Sequence, residues 1–165
     1  MDFALLPNLV TFFPLVGVLI LFFIKAENKV LIRWVSLLTA LATFGISLVL
    51  LGEFKASDPA LQMVTNIPWI TVADWNISYY MGVDGLSILL ILLTTFLTPI
   101  SLLSTWSAIE EREKDFNIFF LMLEVGMLGV FMAQDLFLFY VFWEFTLVPM
   151  YFLIGIWGGP QRIYR

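Results

Sequence analysis

The chain has 165 residues, of which 61% are apolar and only 13% are charged, and its net charge is −5. Soluble globular proteins contain about 25% charged residues, so this composition excludes an ordinary soluble domain. Cysteine and histidine are both absent. Their absence excludes disulfides, cysteine-ligated iron–sulfur clusters and histidine-ligated haem, so we expect no cofactor and no metal in this chain. No feature suggests a nucleic-acid partner.

Five long apolar segments predict an all-α fold, a polytopic bundle of transmembrane helices. A helix of about 20 apolar residues is long enough to cross the ~30 Å hydrocarbon core of a bilayer. The predicted spans are residues 3–24, 34–51, 86–107, 116–133 and 136–157. The first segment lacks a preceding basic region and a small-residue cleavage site, so we interpret it as a retained span and not as a signal peptide.

The basic residues predict that the N-terminus lies outside. With five spans, seven of the eight lysines and arginines fall on the side opposite to the N-terminus, and only Lys55 falls on the same side. Short loops rich in lysine and arginine stay on the inner side of a membrane. The seven basic residues therefore mark the inner side.

The one long loop, residues 52–84, is expected on the outer side. Its second half alternates β-branched, aromatic and polar residues around Ala73 and Asp74, which predicts a short β-hairpin. Its aromatic residues fit an interfacial belt, and contact with a partner is an equally good interpretation. Asp84 directly precedes the third span, where its carboxylate is predicted to cap the helix.

Glu144 lies in the middle of the fifth span, LFLFYVFWEFTLVPMYFLIGIW. An acidic residue at the bilayer centre costs about 2.5–3.5 kcal/mol on insertion scales, so it is rarely there without a partner or a task. Tyr140 and Tyr151 share its helical face, and Pro149 removes a backbone hydrogen bond nearby. We expect Glu144 to be a proton relay group supported by these three residues.

Glu124, in the fourth span, is the second candidate relay group. Residues 134–135 form the turn between the last two spans, and each glutamate lies about ten residues from that turn. Both are therefore predicted at similar depth on adjacent antiparallel helices. The alternative for each is a protonated carboxyl group that hydrogen-bonds to a neighbouring helix as a packing contact. Asp135, in the turn, is predicted to cap the fifth span.

Two stretches carry a more specific signal, YYMGVDGLSILLILLTTFLTPISLLSTW and LMLEVGMLGVFMAQDLFLFYVFWEFTLVPMYFLIGIWGG. Together they resemble the antiporter-like membrane subunit M (chain 4) of NADH-quinone oxidoreductase, respiratory complex I. The resemblance covers essentially the whole chain. Its most distinctive part is the run FWE-x-x-LVPMY around Glu144.

The resemblance implies that Glu144 is the glutamate of the fifth helix used for proton translocation, and that Glu124 stands where many members also have an acid. It implies a hetero-oligomer with other membrane-arm subunits, embedded in the lipid bilayer of an energy-transducing membrane such as the bacterial plasma membrane. Flavin, iron–sulfur clusters and the quinone site are then expected in other subunits. The family's outer loop joins neighbouring subunits, a role that would suit residues 67–80.

The resemblance also implies many more helices than five, and central lysines that the predicted spans lack. Residues 1–165 are therefore expected to be the N-terminal portion of such a subunit, as a fragment or as a split product. Other function classes stay open. A subunit of a multisubunit cation/proton antiporter or of a membrane-bound hydrogenase would have similar helices. If the subunit is purely structural, deletion of residues 67–80 should prevent assembly, whereas replacement of either glutamate by glutamine should leave turnover intact. A redox carrier is least favoured.

Overall fold

The computed structural model describes residues 3–161, and five helical segments in it are long and apolar enough to cross a membrane. The first segment begins with a 3₁₀ turn at Phe3–Leu5 and continues as two helices separated by Phe13. The helices are α1 (Leu6–Phe12), α2 (Pro14–Phe23), α3 (Lys29–Glu53), α4 (Gly85–Ser104), α5 (Glu113–Met132) and α6 (Leu136–Trp157). The predicted spans coincide with these segments, and the fifth has the predicted ends.

The largest boundary error concerns α3, which begins at Lys29 and not at residue 34. Asn28 caps the helix by accepting a hydrogen bond from Leu31 N at 3.4 Å. The polar first turn is helical because Lys29 and Arg33 both contact residues 110–113 across the bundle. Hydropathy alone places a span where the apolar residues begin, so it misses a polar turn that tertiary contacts stabilise.

The loop after α3 forms a two-stranded antiparallel sheet, β1 (Gln62–Val72) and β2 (Trp75–Val83). Its turn lies at Ala73 and Asp74, and Ala73 has a left-handed φ of 55°. The hairpin lies where the alternating pattern of this loop predicts it, within a chain whose five long apolar segments are helical as predicted. Alternating β-branched and aromatic side chains favour a pleated strand over a helix here, and the chain as a whole is mostly helical.

Side-chain hydrogen bonds hold the hairpin against the start of the first span. The Tyr79 hydroxyl donates to Asn8 Oδ1, and Asn8 Nδ2 donates to Thr65 Oγ1 at 2.9 Å. Burial raises the pKa of Tyr79 to about 12. The phenol therefore stays a hydrogen-bond donor at any physiological pH, which keeps the two strands tied to α1.

The turn between α5 and α6 is a second attachment point for the hairpin. Gln134 N donates to Tyr80 O at 2.8 Å, and Ser78 N donates to Asp135 Oδ2 at 3.3 Å. The other oxygen of Asp135 accepts from the amides of the first turn of α6, Phe137 at 2.9 Å and Leu138 at 3.2 Å. The cap predicted at Asp135 is confirmed, and the same carboxylate also binds β2.

Asp84 joins the end of β2 to α4 as the predicted helix cap. Its Oδ1 accepts from Ser87 N at 2.8 Å and from Leu86 N at 3.1 Å, while Asp84 N donates to Ser87 Oγ at 2.8 Å. The hydrogen bond from the Ser87 amide stabilises the carboxylate, which lowers the pKa of Asp84. This capping box fixes where α4 begins.

Helices α5 and α6 pack closely because two glycines of α5 face side chains of α6. A Cβ atom at Gly126 would lie 2.6 Å from Thr146 Cγ2, and one at Gly129 would overlap the Phe142 ring. Glycine at both positions lets the helices approach to a distance that alanine would forbid.

Gly129→Ala is therefore expected to destabilise the folded protein by about 1–3 kcal/mol, because the added methyl group overpacks the contact with the buried Phe142 ring. The midpoint of SDS- or heat-induced unfolding of the detergent-solubilised protein measures the change. Gly155→Ala in α6 is the matched control, since a Cβ there meets nothing within 4 Å among the described residues. Equal midpoints for the two variants would contradict the packing assignment.

Candidate functional site

Glu124 lies inside the bundle, with only 2% of its surface exposed. Neither of its carboxyl oxygens has a hydrogen-bond partner among residues 3–161. Thr98 of α4 lies beside the carboxyl group, but the Thr98 hydroxyl already donates to Thr94 O at 2.8 Å. Glu124 is therefore a buried carboxyl group next to a hydroxyl that is bonded within its own helix.

Glu144 is exposed on the outer face of α6, which is the least buried of the five spans. The Tyr140 hydroxyl lies next to the Glu144 carboxyl group, one helical turn away. Tyr151 is also exposed, on the same face. The structure therefore brings Tyr140 and Glu144 into contact and places Tyr151 further along the same surface, as the helical spacing predicts.

Pro149 does not belong to that face, because it is buried. Phe142, Phe145 and Thr146 are the α6 residues nearest to the glycines of α5, and Glu144 lies two residues from Phe142 and Thr146, whose contacts are the closest. Two residues correspond to a rotation of about 200° around a helix, so Glu144 points away from α5. The two glutamates therefore do not face each other. One is enclosed between helices, and the other is on an uncovered surface.

A partly buried ion pair lies at the end of the bundle opposite to the hairpin, which we call the basic end because Lys25, Lys29, Arg33, Arg112 and Lys114 lie there. Arg33 Nη2 is 2.6 Å from Glu113 Oε1, and Arg33 Nε is 3.0 Å from Glu113 Oε2. Glu113 is 4% exposed. This two-point contact ties α3 to the first turn of α5.

Further groups surround the ion pair. Lys29 Nζ lies 4.0 Å from Glu113 Oε1, and the Arg33 guanidinium lies 6.0 Å from the centre of the Trp106 ring. Asn117, one turn into α5, donates from Nδ2 to Glu113 O at 2.7 Å. Sequence reasoning missed this cluster because the predicted fourth span begins at residue 116, which leaves Glu113 in the preceding loop, whereas the helix begins at Glu113. The spacing of Glu113, Asn117 and Glu124 by four and seven residues was the available signal.

The α4–α5 seam, the contact between the facing sides of these two helices, contains a groove of about 300 Å³. Three leucines and three hydroxyl-bearing residues of α4 line it on one side, aromatic and methionine side chains of α5 line it on the other, and Glu124 is not among the lining residues: Leu90, Leu93, Thr94, Leu97, Thr98, Ser101, Phe120, Met127 and Phe131. Within residues 3–161, no cluster of three or more acidic side chains is placed to hold a metal ion. Proton transfer is the chemistry that isolated carboxyl groups beside hydroxyls can perform.

The described part of the chain has five apolar spans. One carboxyl group is enclosed between the helices, and another lies on an uncovered helix face. These features define a polytopic membrane protein with ionisable groups inside its spans. Residues 9–134 match the family described as NADH-ubiquinone oxidoreductase chain 4, amino terminus. Residues 133–165 match the transmembrane family described as NADH:quinone oxidoreductase/Mrp antiporter. The chain belongs to the NADH-ubiquinone oxidoreductase chain 4 family, which confirms the resemblance found in its sequence.

Curated relatives agree with this assignment. The chain is 42% identical over 165 residues to NADH-quinone oxidoreductase subunit M of Rhodobacter capsulatus, a match that covers 96% of this chain and 31% of the relative. It is 43% identical over 149 residues to NADH-ubiquinone oxidoreductase chain 4 of Arabidopsis thaliana, covering 90% of this chain and 30% of the relative. The chain thus spans about a third of the length of these relatives.

Two solved structures share the fold. Respiratory complex I from Thermus thermophilus with bound NADH contains a chain that aligns with a TM-score of 0.76 and 27% identity, over 99% of this chain and 31% of that one. The Mrp complex from Dietzia aligns with a TM-score of 0.71 and 16% identity, over 98% of this chain and 16% of that one. At 16% identity the second likeness establishes the fold alone.

Proposed function

We propose that this chain is the N-terminal portion of a membrane-arm subunit of a proton-pumping NADH:quinone oxidoreductase. Glu144 takes up and releases protons in a pathway coupled to quinone reduction in other subunits. One observation carries the proposal: Glu144 stands within the FWE segment on the uncovered face of α6, in a chain 42% identical to a subunit M. Glu124 is the second proposed relay group, and Tyr140 and Tyr151 support Glu144.

The position of Glu144 suits a relay group that works with parts beyond residues 1–165. A carboxylate at lipid depth needs a counter-charge or water, because insertion of an unpartnered acid is unfavourable by several kcal/mol. The Tyr140 hydroxyl lies next to the Glu144 carboxyl group. The chain covers only 31% of its Rhodobacter relative, so the remaining length of such a subunit is sufficient to cover the exposed face of α6 and to supply a cation.

We further propose that the N-terminus and the hairpin face outward and that the basic end faces inward, because lysine- and arginine-rich short loops stay inside. The location is an energy-transducing membrane, and we propose the bacterial plasma membrane. The partners are other membrane-arm subunits, one of which contacts residues 67–80 of the hairpin. Flavin, iron–sulfur clusters and the quinone site belong to other subunits, and this chain contributes no redox centre.

Purification of the affinity-tagged protein from its native membranes tests the assignment. We expect flavin, iron–sulfur signals in electron paramagnetic resonance spectra and NADH-dependent quinone reduction to co-purify with the tag. Membranes from an untagged strain are the control. The alternative is a cation/proton antiporter subunit. Recovery of other antiporter-type membrane subunits alone, with Na⁺/H⁺ exchange and no NADH oxidation, would replace the proposal by that alternative.

A further inference from the structure

We infer that Asp135 is a positioning residue for Glu144, because one oxygen of its carboxylate caps α6 and the other joins this helix to the hairpin. The inference rests on the proposed function in one respect: Glu144 is taken as the group whose direction matters. The contact between Asp135 and the hairpin is defined by hydrogen bonds between described residues and does not depend on that role.

The turn between α5 and α6 extends the sheet of the hairpin. Ala133 forms an antiparallel bridge with Met81 of β2. Next to this bridge, Gln134 N donates to Tyr80 O at 2.8 Å. Since β1 occupies one edge of β2, the turn pairs with the opposite edge. The residues that connect the two helices therefore act as a short third strand.

Asp135 continues this pairing with its side chain. Ser78 lies two residues before Tyr80, so its amide group points to the same edge of β2. Ser78 N donates to Asp135 Oδ2 at 3.3 Å, a hydrogen bond that we call the hairpin–helix joint. The carboxylate oxygen takes the place that a backbone carbonyl of a longer third strand would have. The joint thus satisfies a partly buried backbone donor of the sheet edge.

The joint and the helix cap use different oxygens of Asp135. Oδ1 accepts from Phe137 N at 2.9 Å and from Leu138 N at 3.2 Å, whereas Oδ2 accepts from Ser78 N. Asparagine keeps one acceptor oxygen and caps helices as well as aspartate does. Its second polar group is an NH₂ donor, which would face the N–H of Ser78. Asp135→Asn therefore removes the joint and keeps the cap.

The joint restrains the rotation of α6, and this rotation sets the direction of Glu144. The helix is the least buried of the five spans, so few contacts hold it. One is the close contact of Phe142 with Gly129 of α5. Phe142 lies seven residues after Asp135, which corresponds to roughly 10 Å along the axis. A helix held at both points cannot turn about its axis, whereas a helix held only at Phe142 can move its first turns, including Tyr140.

Hydrogen exchange of the intact complex, followed by mass spectrometry of peptides from this chain, tests the joint. In Asp135→Asn we expect the Ser78 amide to exchange about fivefold faster, the factor that corresponds to one ordinary hydrogen bond. The amides of Phe137 and Leu138 should exchange at the wild-type rate, because asparagine still caps α6. In Asp135→Ala all three amides should exchange faster.

The number of protons transported per NADH oxidised tests the positioning role. It is measured on the assembled complex in vesicles, so a lower yield of complex does not affect it. Asp135→Asn should lower this ratio by up to about fivefold, because the loss of one hydrogen bond weakens the restraint on α6 by that factor. If Asp135 served only as a helix cap, asparagine would give the wild-type ratio.

Asp84→Asn is the matched control. It makes the same chemical change at the N-cap of α4, where Leu86 N and Ser87 N both donate to the same oxygen, Oδ1. Exchange at Ser78 and the transport ratio should be unchanged. Equal effects of the two variants would overturn the inference, as would wild-type exchange at Ser78 in Asp135→Asn or a wild-type transport ratio. If Asp135→Asn does not assemble, Ser78→Pro, which removes the donor of the joint, must lower the ratio for the inference to stand.

Failure of the inference and failure of the proposed function give different results. Exchange at Ser78 is measured in the resting protein and needs no catalytic turnover. The proposed function fails if the protein purifies without NADH-oxidising subunits or if Glu144→Gln pumps normally. The inference alone fails if Glu144→Gln abolishes transport while Asp135→Asn keeps the wild-type ratio.

Discussion

Replacing Glu144 with glutamine is expected to abolish proton transport while the complex still assembles. Glutamine has the shape of the acid and can still hydrogen-bond to Tyr140, but it cannot bind and release a proton. Groups that transfer protons contribute roughly 10²–10⁴-fold to the rates they assist, so on the proposed function NADH-driven transport should fall by at least about 100-fold. A pH-sensitive dye in reconstituted vesicles measures transport, and NADH oxidation is recorded in parallel.

Glu53→Gln is the matched control for this experiment. It removes a carboxylate by the same chemical change, but Glu53 is exposed at the last turn of α3, at the hairpin end and away from both glutamates. Transport should stay at the wild-type rate. Assembly is checked by co-purification of the other subunits. If Glu144→Gln pumps as many protons per NADH as wild type, Glu144 has no relay role.

The spans and caps of this chain were predictable because they depend on local sequence. Asp84 and Asp135 each precede an apolar run, and both cap the helices that follow. The distance of Glu124 and of Glu144 from the turn between their helices was predictable for the same reason. Each residue of an α-helix adds about 1.5 Å along the helix axis, so the number of residues between a glutamate and the turn gives its distance from the turn.

The rotation of each helix about its own axis was not predictable, and this rotation decides which neighbouring groups each glutamate faces. The α5–α6 contact depends on how Phe142 fits against Gly129, a matter of tertiary shape. Once that contact is made, Glu144 must point outward and Glu124 lies beside Thr98 of α4. The sequence contains both the glycines and the glutamates, but a single sequence does not state which helix meets which face.

The Arg33–Glu113 ion pair was also hidden from sequence reasoning, since its partners are 80 residues apart. Acidic residues crowd residues 110–115, and composition alone suggests that all of them are hydrated. The structure separates them: Glu113 is 4% exposed and paired at two points, whereas Asp115 is exposed. Burial changes the energetic role of the pair, because a buried charge that loses its partner cannot be rescued by water.

Arg33→Gln is accordingly expected to destabilise the protein by about 3–5 kcal/mol, the usual cost of leaving one charge of a buried pair without its partner. Lys29 compensates little, because its Nζ is 4.0 Å from Glu113 and the side chain is half exposed. The midpoint of SDS unfolding and the yield of assembled complex measure the loss. In the double variant Arg33→Gln/Glu113→Gln no charge is left buried, so most of the loss should be recovered.

Arg112→Gln is the matched control, because it breaks an ion pair of similar length in exposed surroundings. Arg112 Nε lies 3.0 Å from Asp115 Oδ2, and the two side chains are 59% and 43% exposed. Exposed pairs contribute only about 0–1 kcal/mol, so stability should hardly change. A double variant no more stable than Arg33→Gln would show that the arginine acts through its packing on Trp106 and not through the charge of Glu113. Recovery in the double variant would instead show that the loss comes from the charge of Glu113, left buried without its partner.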